Sequence, residues 1–202
     1  QVVYFKNHFD YQVLGVTRDD AIGEAFDKVA KMTGLPYPGG PSVAQAASRG
    51  DAHAFDLPKP RLDDPYETSY SGLKTAVLRK AQMLCRRDHT LPSFELPGLL
   101  SDQQVNDIAA VFQRVAIEMM VDKVVRSYDE YQPKDVVIAG GVASSQELRR
   151  QLAAALPRAP LYTDPKLCTD NGAMIAALGC YKAASHLEQA DPYELEINPS
   201  LR

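Results

Sequence analysis

The sequence predicts an α/β fold, and the prediction rests on the stretch from 135 to 181. An almost wholly apolar run at 135–139 is typical of a buried parallel strand, and it ends in Gly140-Gly141. A capped helix follows, then a short strand at 161–163, a loop and a last helix. This alternation favours a parallel sheet with helices packed on it, and ligands are expected at the carboxyl ends of its strands.

Composition excludes several classes of protein. The 202 residues carry 22 basic and 26 acidic side chains, a net charge of −4, which argues against a general nucleic-acid coat but leaves room for a local RNA-binding patch. Three cysteines without a C-x-x-C pair favour a reducing, cytoplasmic setting over a disulfide framework. The sequence has no run of 18 apolar residues, so no membrane span is predicted. The chain begins as if inside a strand, without Met, so we expect a fragment.

The first third of the chain is expected to form a hairpin followed by a helix. Residues 2–6 and 11–14 alternate as two short strands. Asp19 and Asp20 are the predicted capping acids of the helix, and Gly34 is placed to end it in the left-handed conformation.

The middle of the chain is expected to alternate loops with helices. The predicted order is a tight turn at 38–41, a helix at 42–49, an irregular excursion at 51–70, a helix at 71–87 and a loop at 88–100. Residues 51–100 would then be an irregular and helical insertion within one domain.

Three further helices are predicted. The longest begins with a capping box at Ser101 and Gln104. The next is assigned Ser144 as its cap, with Glu147, and the last is capped by 169–171. Their inward-facing residues are expected to be Val105, Ile108, Phe112, Val115 and Met119; Leu148, Leu152 and Ala155; and Met174, Ala177, Leu178 and Tyr181. The acidic tail from Ala190 is expected to lie on the surface or fray.

Two places in the chain combine polar groups with glycine. Asp27 lies on the first helix and Gly40 in the turn beyond its end, so a carboxylate and an accessible backbone would lie close together. Gly140-Gly141, between a strand and a helix, suits a phosphate cradle. Either feature is equally compatible with a helix end and a sharp turn.

Asp170 has two interpretations as well. Thr, Asp and Asn at a helix start are ordinary caps, and the functional alternative is a metal-binding carboxylate. The four histidines, His8, His53, His89 and His186, are isolated from one another. Ser71 and Lys74 form a short S-x-x-K pattern that recurs by chance, and Cys168 has no histidine near it in sequence.

Five motifs in one order resemble a known family. They are Asp-Asp-Ala-Ile-Gly-Glu-Ala-Phe-Asp-Lys from residue 19, Tyr-Pro-Gly-Gly-Pro from 37, Tyr-Ser-Gly-Leu-Lys-Thr-Ala-Val from 70, Ile-Ala-Gly-Gly-Val-Ala from 138 and Cys-Thr-Asp-Asn-Gly-Ala-Met-Ile from 168. The set is similar to the bacterial branch of the TsaD family, the tRNA N6-adenosine threonylcarbamoyltransferases, once labelled glycoproteases.

The resemblance implies a two-lobed fold of the actin, Hsp70 and sugar-kinase type, built on RNase H-like sheets. Residues 1–202 would be its C-terminal lobe, with most of the N-terminal lobe absent. Family members transfer a threonylcarbamoyl group from threonylcarbamoyl-AMP to N6 of the adenine beside the tRNA anticodon. The resemblance implies an adenine nucleotide (threonylcarbamoyl-AMP, ATP or ADP), one divalent metal ion (iron, zinc or magnesium), tRNA and TsaB-like and TsaE-like subunits as ligands and partners.

The resemblance also carries site residues. Asp27 and Gly40 match the positions that hold ribose and nucleoside, Gly140 and Gly141 the loop near the phosphates, and Asp170 a metal ligand. The family's H-x-x-x-H pair and its Ser-Gly-Gly-His-Thr loop are missing from this chain, so we expect the chain alone to be inactive.

Ser145 is a second departure, because it stands where the family usually has Asn. A hydroxyl offers less hydrogen bonding than an amide. A non-catalytic nucleotide-binding or assembly subunit of the same complex is the alternative function. A metalloprotease has no supporting motif.

Overall fold

The computed structural model describes residues 1–185, and they form four strands and six α-helices. In chain order these are β1 (Val2–Asn7), β2 (Asp10–Gly15), α1 (Ile22–Thr33), α2 (Gly39–Ala47), α3 (Ser71–Leu84), α4 (Asp102–Tyr131), β3 (Val137–Ile138), α5 (Gln146–Ala155), β4 (Leu161–Tyr162) and α6 (Gly172–Ser185). Single 3₁₀ turns lie at Ser93–Glu95, Gly141–Ser144 and Pro165–Leu167. The predicted α/β class is confirmed, with more helix and smaller sheets than expected.

The main core lies among the first four helices. α2 packs against both α1 and α4, and α3 packs on the same two helices. The rings of Phe26 and Phe112 meet at the centre, 4.9 Å between centroids. Of the predicted α4 stripe, Ile108, Phe112, Val115 and Met119 are buried and Val105 is half-buried. Each helix therefore covers the apolar face of another.

A second, smaller core joins α4 to α5. Ile117 and Val121 of α4 pack against Leu148 and Leu152 of α5. Ala155 was expected to face inward as well, but it is exposed at the last turn of the helix.

The four strands form two separate two-stranded sheets. β1 and β2 are an antiparallel hairpin, whereas β3 and β4 pair in parallel across the α5 connection. The parallel direction was predicted correctly, but the burial was not, because Val137 is 64% exposed and Leu161 55% exposed. No helix in the described part of the chain covers that side of the pair.

Helix starts differ from the predicted caps. Asp19 does not cap α1; its carboxylate accepts from the backbone N–H of Tyr70 at 2.8 Å and of Ser71 at 3.3 Å, at the start of α3. α1 begins after Ala21, which has no side-chain cap bond. Asp20 pairs with Lys28 and Lys74 at 2.6 and 3.2 Å. The two acids thus join α1 to α3. The Ser101–Gln104 capping box and the Gly34 end, with φ 76°, are confirmed.

α6 buries none of its residues against the rest of the described chain. Its predicted inward side chains are exposed, although most of its sequence is apolar. Asn171 caps it by accepting from the N–H of Met174 at 3.0 Å. No helix between residues 1 and 185 is both long and apolar enough to cross a membrane. The predictions for His186 and for the tail from Ala190 lie outside the described residues.

Candidate nucleotide cleft

A cleft of about 1130 Å³ opens between the main core and the start of α5. One wall is formed by α1 and α2, with Phe26 and Gly40 on its surface. Gln113 and Ile117 of α4 line the base, and the turn at Gly141–Ser144 leads into the opposite wall. Mixed apolar and polar walls of this size suit a ligand as large as a nucleotide.

Three of the predicted site residues meet in this cleft. Gly40, Gly141 and Ser145 all line it, although about 100 residues separate the first from the other two. Gly140 is next to the lining, whereas Asp27 and Asp170 do not line the cleft. Helix packing through α4 is what brings the two walls together.

Asp27 holds the start of α2 in place. Its Oδ1 accepts a hydrogen bond of 2.7 Å from the backbone N–H of Gly39, one of the N–H groups that a helix start leaves without a helical partner. A Cβ on Gly39 would lie 2.5 Å from the carbonyl oxygen of Phe26. The glycine that close packing requires is therefore Gly39. Gly40, whose backbone we expected to be accessible to a ligand, has open space around it and faces the cleft.

In the second glycine pair, Gly140-Gly141, the two residues also have different roles. Gly140 has φ 85°, a conformation that favours glycine, and its carbonyl accepts from the N–H of Ala143 at 2.9 Å. Gly141 has nothing within 4 Å of an added Cβ, so its backbone stays accessible from the cleft. The pair both turns the chain and leaves a free surface.

Ser145, rather than the predicted Ser144, caps α5. Its hydroxyl oxygen accepts from the N–H of Leu148 at 3.3 Å, and Ser144 instead donates to the carbonyl of Gly141 at 2.7 Å. The accepted bond leaves the Ser145 hydroxyl hydrogen available to a ligand.

Sequence reasoning missed the charged residues of the cleft. Arg150 binds Glu147 through two hydrogen bonds of 2.8 and 2.7 Å, and Arg114 donates to Glu118 at 2.9 Å and to the carbonyl of Ala52 at 2.8 Å. The guanidinium of Arg150 is the main reason that the pKa of Glu147 is held below its ordinary value. Helical spacing, i to i+3 and i to i+4, was the available signal for both pairs.

Asp170 is an exposed carboxylate at the start of α6. Within residues 1–185, no three His, Cys, Asp or Glu side chains lie together as a metal site would need. The donor set of the described chain therefore offers a metal one carboxylate and not a complete site.

The other candidate groups have structural surroundings. Lys74 is paired with Asp20, and buried Cys168 contacts the carbonyl oxygens of Thr163 and Asp164 at 3.7 and 3.5 Å. His8 stacks on Tyr181, with 4.7 Å between ring centroids. His53 differs from these because it lines the cleft.

Comparison with known proteins identifies the family of this chain. Residues 1–177 match the family model described as TsaD, tRNA N6-adenosine threonylcarbamoyltransferase. A protein of that name from Symbiobacterium thermophilum is 45% identical over 89% of this chain and 50% of its own length. Those from Synechococcus sp. and Desulfitobacterium hafniense are 44% and 40% identical, over 88% and 99% of this chain and 46% and 56% of their own lengths. The chain spans about half the length of the curated relatives it matches.

Proposed function

The chain belongs to the tRNA N6-adenosine threonylcarbamoyltransferase family, and from that premise we propose that the complete protein modifies tRNA. The proposed reaction moves a threonylcarbamoyl group from threonylcarbamoyl-AMP to N6 of the adenine beside the anticodon. The observation that carries the proposal is the meeting of Gly40, Gly141 and Ser145 on one cleft of nucleotide size. This chain would supply one part of the site.

The residues of this chain would bind and orient the adenylate. The backbone at Gly40 and Gly141 is open to the cleft, and N–H groups at two helix starts favour an anionic phosphate. The Ser145 hydroxyl hydrogen is free to donate to the same ligand. Asp27, which does not line the cleft, would act through Gly39 by fixing the start of α2.

The proposed transfer requires mainly that the adenylate and the adenine be held in the correct relative position. In the proposed step the adenine N6 forms a bond to the carbamoyl carbon, and the bond from that carbon to the phosphate oxygen breaks. N6 loses one proton, and AMP leaves. N–H groups that hold the departing phosphate would lower the barrier, without a covalent bond to the protein.

Asp170 is proposed as one ligand of a divalent metal ion, either iron, zinc or magnesium. Such an ion would supply Lewis-acid chemistry. The further ligands would come from outside the described residues, because those contain no cluster able to complete a site. Partners similar to TsaB and TsaE, and a cytoplasmic location, belong to the same proposal.

The fold proposal is that this chain forms the C-terminal lobe of an actin-like protein, with 51–100 as an insertion. The exposed apolar side chains of β3, β4 and α6 support it, because such surface normally packs against another part of a protein. Relatives about twice as long contain enough further chain to cover it.

A substitution that fills the cleft tests the function. Gly141→Val adds a side chain in open space on the cleft wall, so the fold should tolerate it while AMP binding to the complete protein weakens at least tenfold. Ala153→Val, on the exposed face of α5 and away from the cleft lining, is the matched control. Binding is measured by calorimetry, and threonylcarbamoyladenosine in tRNA by mass spectrometry.

The two measurements separate the alternatives. Equal AMP affinity in both variants would overturn the assignment of the cleft. AMP binding by a complete protein that forms no threonylcarbamoyladenosine with its partners present would favour the non-catalytic subunit instead.

A further inference from the structure

The segment 71–87 is charged unlike the rest of the chain. It contains five of the 22 basic residues and none of the 26 acidic ones. The segment thus has a charge of +5, and the remainder of the chain has −9. A polyanion is repelled by most of this protein and attracted at this segment.

The cations lie on the outer face, on one flank and after the end of α3. Leu73, Val77 and Ala81 are buried on the inner face. Arg79 is exposed on the opposite side of the helix, Lys80 is half-buried on the flank of the inner face, and Arg86 and Arg87 follow the last turn. We name the set Arg79, Lys80, Arg86 and Arg87 the α3 basic surface.

A buried glutamine holds the turn after α3 against the helix. The side chain of Gln82 donates to the carbonyl of Leu91 at 2.7 Å, and its backbone carbonyl accepts from the N–H of Arg87 at 2.9 Å. Arg79 donates to the carbonyl of His89 at 3.0 Å. These bonds fold the turn back along α3, so the chain that follows Arg86 and Arg87 passes beside Arg79 at His89.

The charges of this surface are not neutralised. Arg79 binds only uncharged oxygens, and Lys80 lies 4.6 Å from the ring centroid of Phe55. Within the described residues, none of the four cations forms an ion pair with a carboxylate. The neighbouring Asp88 carboxylate accepts two hydrogen bonds from Thr90 at one oxygen, Oδ1, and also interacts electrostatically with Arg87. The charges of Arg79, Lys80 and Arg86 are therefore available to a ligand, and that of Arg87 is only partly offset by Asp88.

The α3 basic surface borders the nucleotide cleft. Phe55, which contacts Lys80, is two residues after His53, which lines the cleft. Two residues of extended chain span at most about 7 Å between Cα atoms. A large ligand bound on this surface would thus reach the edge of the cleft.

We propose that the α3 basic surface binds the sugar–phosphate backbone of the RNA substrate and holds it beside the cleft. The inference rests on the proposed function for the identity of the RNA as tRNA. A phosphate backbone fits better than an acidic protein, because the only large apolar side chain exposed among these cations on α3 is Met83. Protein interfaces are built around a larger apolar centre.

Removing two of the four cations tests the proposal. In the chain as it stands, Arg86→Gln with Arg87→Gln is compared with Lys134→Gln plus Arg158→Gln, an equal change of charge at exposed sites outside the surface. Binding of fluorescent tRNA is followed by anisotropy across a salt series. Loss of two phosphate contacts should reduce the steepness of log K against log salt by about 1.4–1.8. At 0.1 M salt, this corresponds to a roughly 25- to 60-fold loss of affinity for tRNA. The control should change far less.

Each other outcome has a definite meaning. Equal losses of tRNA affinity in the two double variants would overturn the proposed role of the α3 basic surface. The absence of tRNA binding by the wild-type chain at low salt would overturn it as well. Binding of poly-L-glutamate but not tRNA through Arg86 and Arg87 would also overturn it, in favour of an acidic protein partner. In the complete protein we expect the Arg86→Gln, Arg87→Gln change to raise the KM for tRNA with little change in kcat. If the complete protein modifies no tRNA while the chain still binds tRNA through this surface, the proposed function fails and the surface stands.

Discussion

The main helical core buries its apolar side chains, whereas the C-terminal part of the described chain leaves similar side chains exposed. Phe112 of α4 is 0% exposed, whereas Ile175 of α6 is 62% exposed. Both helices carry apolar residues at helical spacing, and both begin with a side-chain cap. A hydrophobic helix pattern therefore predicts the helix, while burial depends on whether another element is present to pack against it.

The difference also separates rigid positions from open ones. In the core region, α1, α2 and α3 pack together and on α4, and the Gly39 backbone touches α1 directly. At the end of the chain, β3 and β4 have one side uncovered and the glycines of the 140–141 turn are open. The cleft lies where the two regions face each other, with one wall from each.

The largest test of this comparison truncates one apolar side chain in each region. Phe112→Ala should lower the free energy of unfolding by about 3–5 kcal/mol, because it leaves a cavity beside Phe26. Ile175→Ala should change it by no more than about 0.5 kcal/mol, because its side chain is largely in water already. Urea denaturation measures both. Similar losses would mean that α6 is packed as firmly as α4.

A smaller effect is expected from adding one methyl group to each glycine pair. Gly39→Ala should cost about 1–3 kcal/mol, because the new Cβ meets the backbone of Phe26 and Asp27. Gly141→Ala meets nothing within 4 Å and should be close to neutral. Thermal unfolding of the two variants gives the comparison, and a loss at Gly141 as large as that at Gly39 would contradict the contrast between packed and open glycines.

The smallest effect is the pH dependence that Asp20 gives to the core region. Hydrogen bonding to Lys28, and also to Lys74, holds the pKa of Asp20 below its ordinary value of 3.8. The folded state thus favours the charged carboxylate, so its contribution to stability is complete above pH 3.8 and is lost as the pH falls through the lowered pKa. Asp20→Asn should be less stable than the wild type at neutral pH, by a margin that shrinks below pH 3.8. A stability difference that grows in acid would contradict the lowered pKa of Asp20.

Local signals predicted the elements better than their surroundings. The Ser101–Gln104 capping box, the Gly34 helix end and the α4 stripe were all predicted, because each depends on residues within a few positions of one another. The caps at Asp19 and Ser144 were assigned wrongly. Asp19 bonds to a backbone 51 residues away, and choosing between two adjacent serines depends on how the turn folds.

The sequence by itself determined the α/β class, the order of helices and the residues that match the family. Those features arise from periodicity, caps and motifs that are local along the chain. Only the tertiary structure decided that Gly40, Gly141 and Ser145 share one cleft, that Arg114 and Arg150 line it, and that Asp27 acts on Gly39. Packing through α4 determines these relations, because it sets distances between residues that are far apart in sequence.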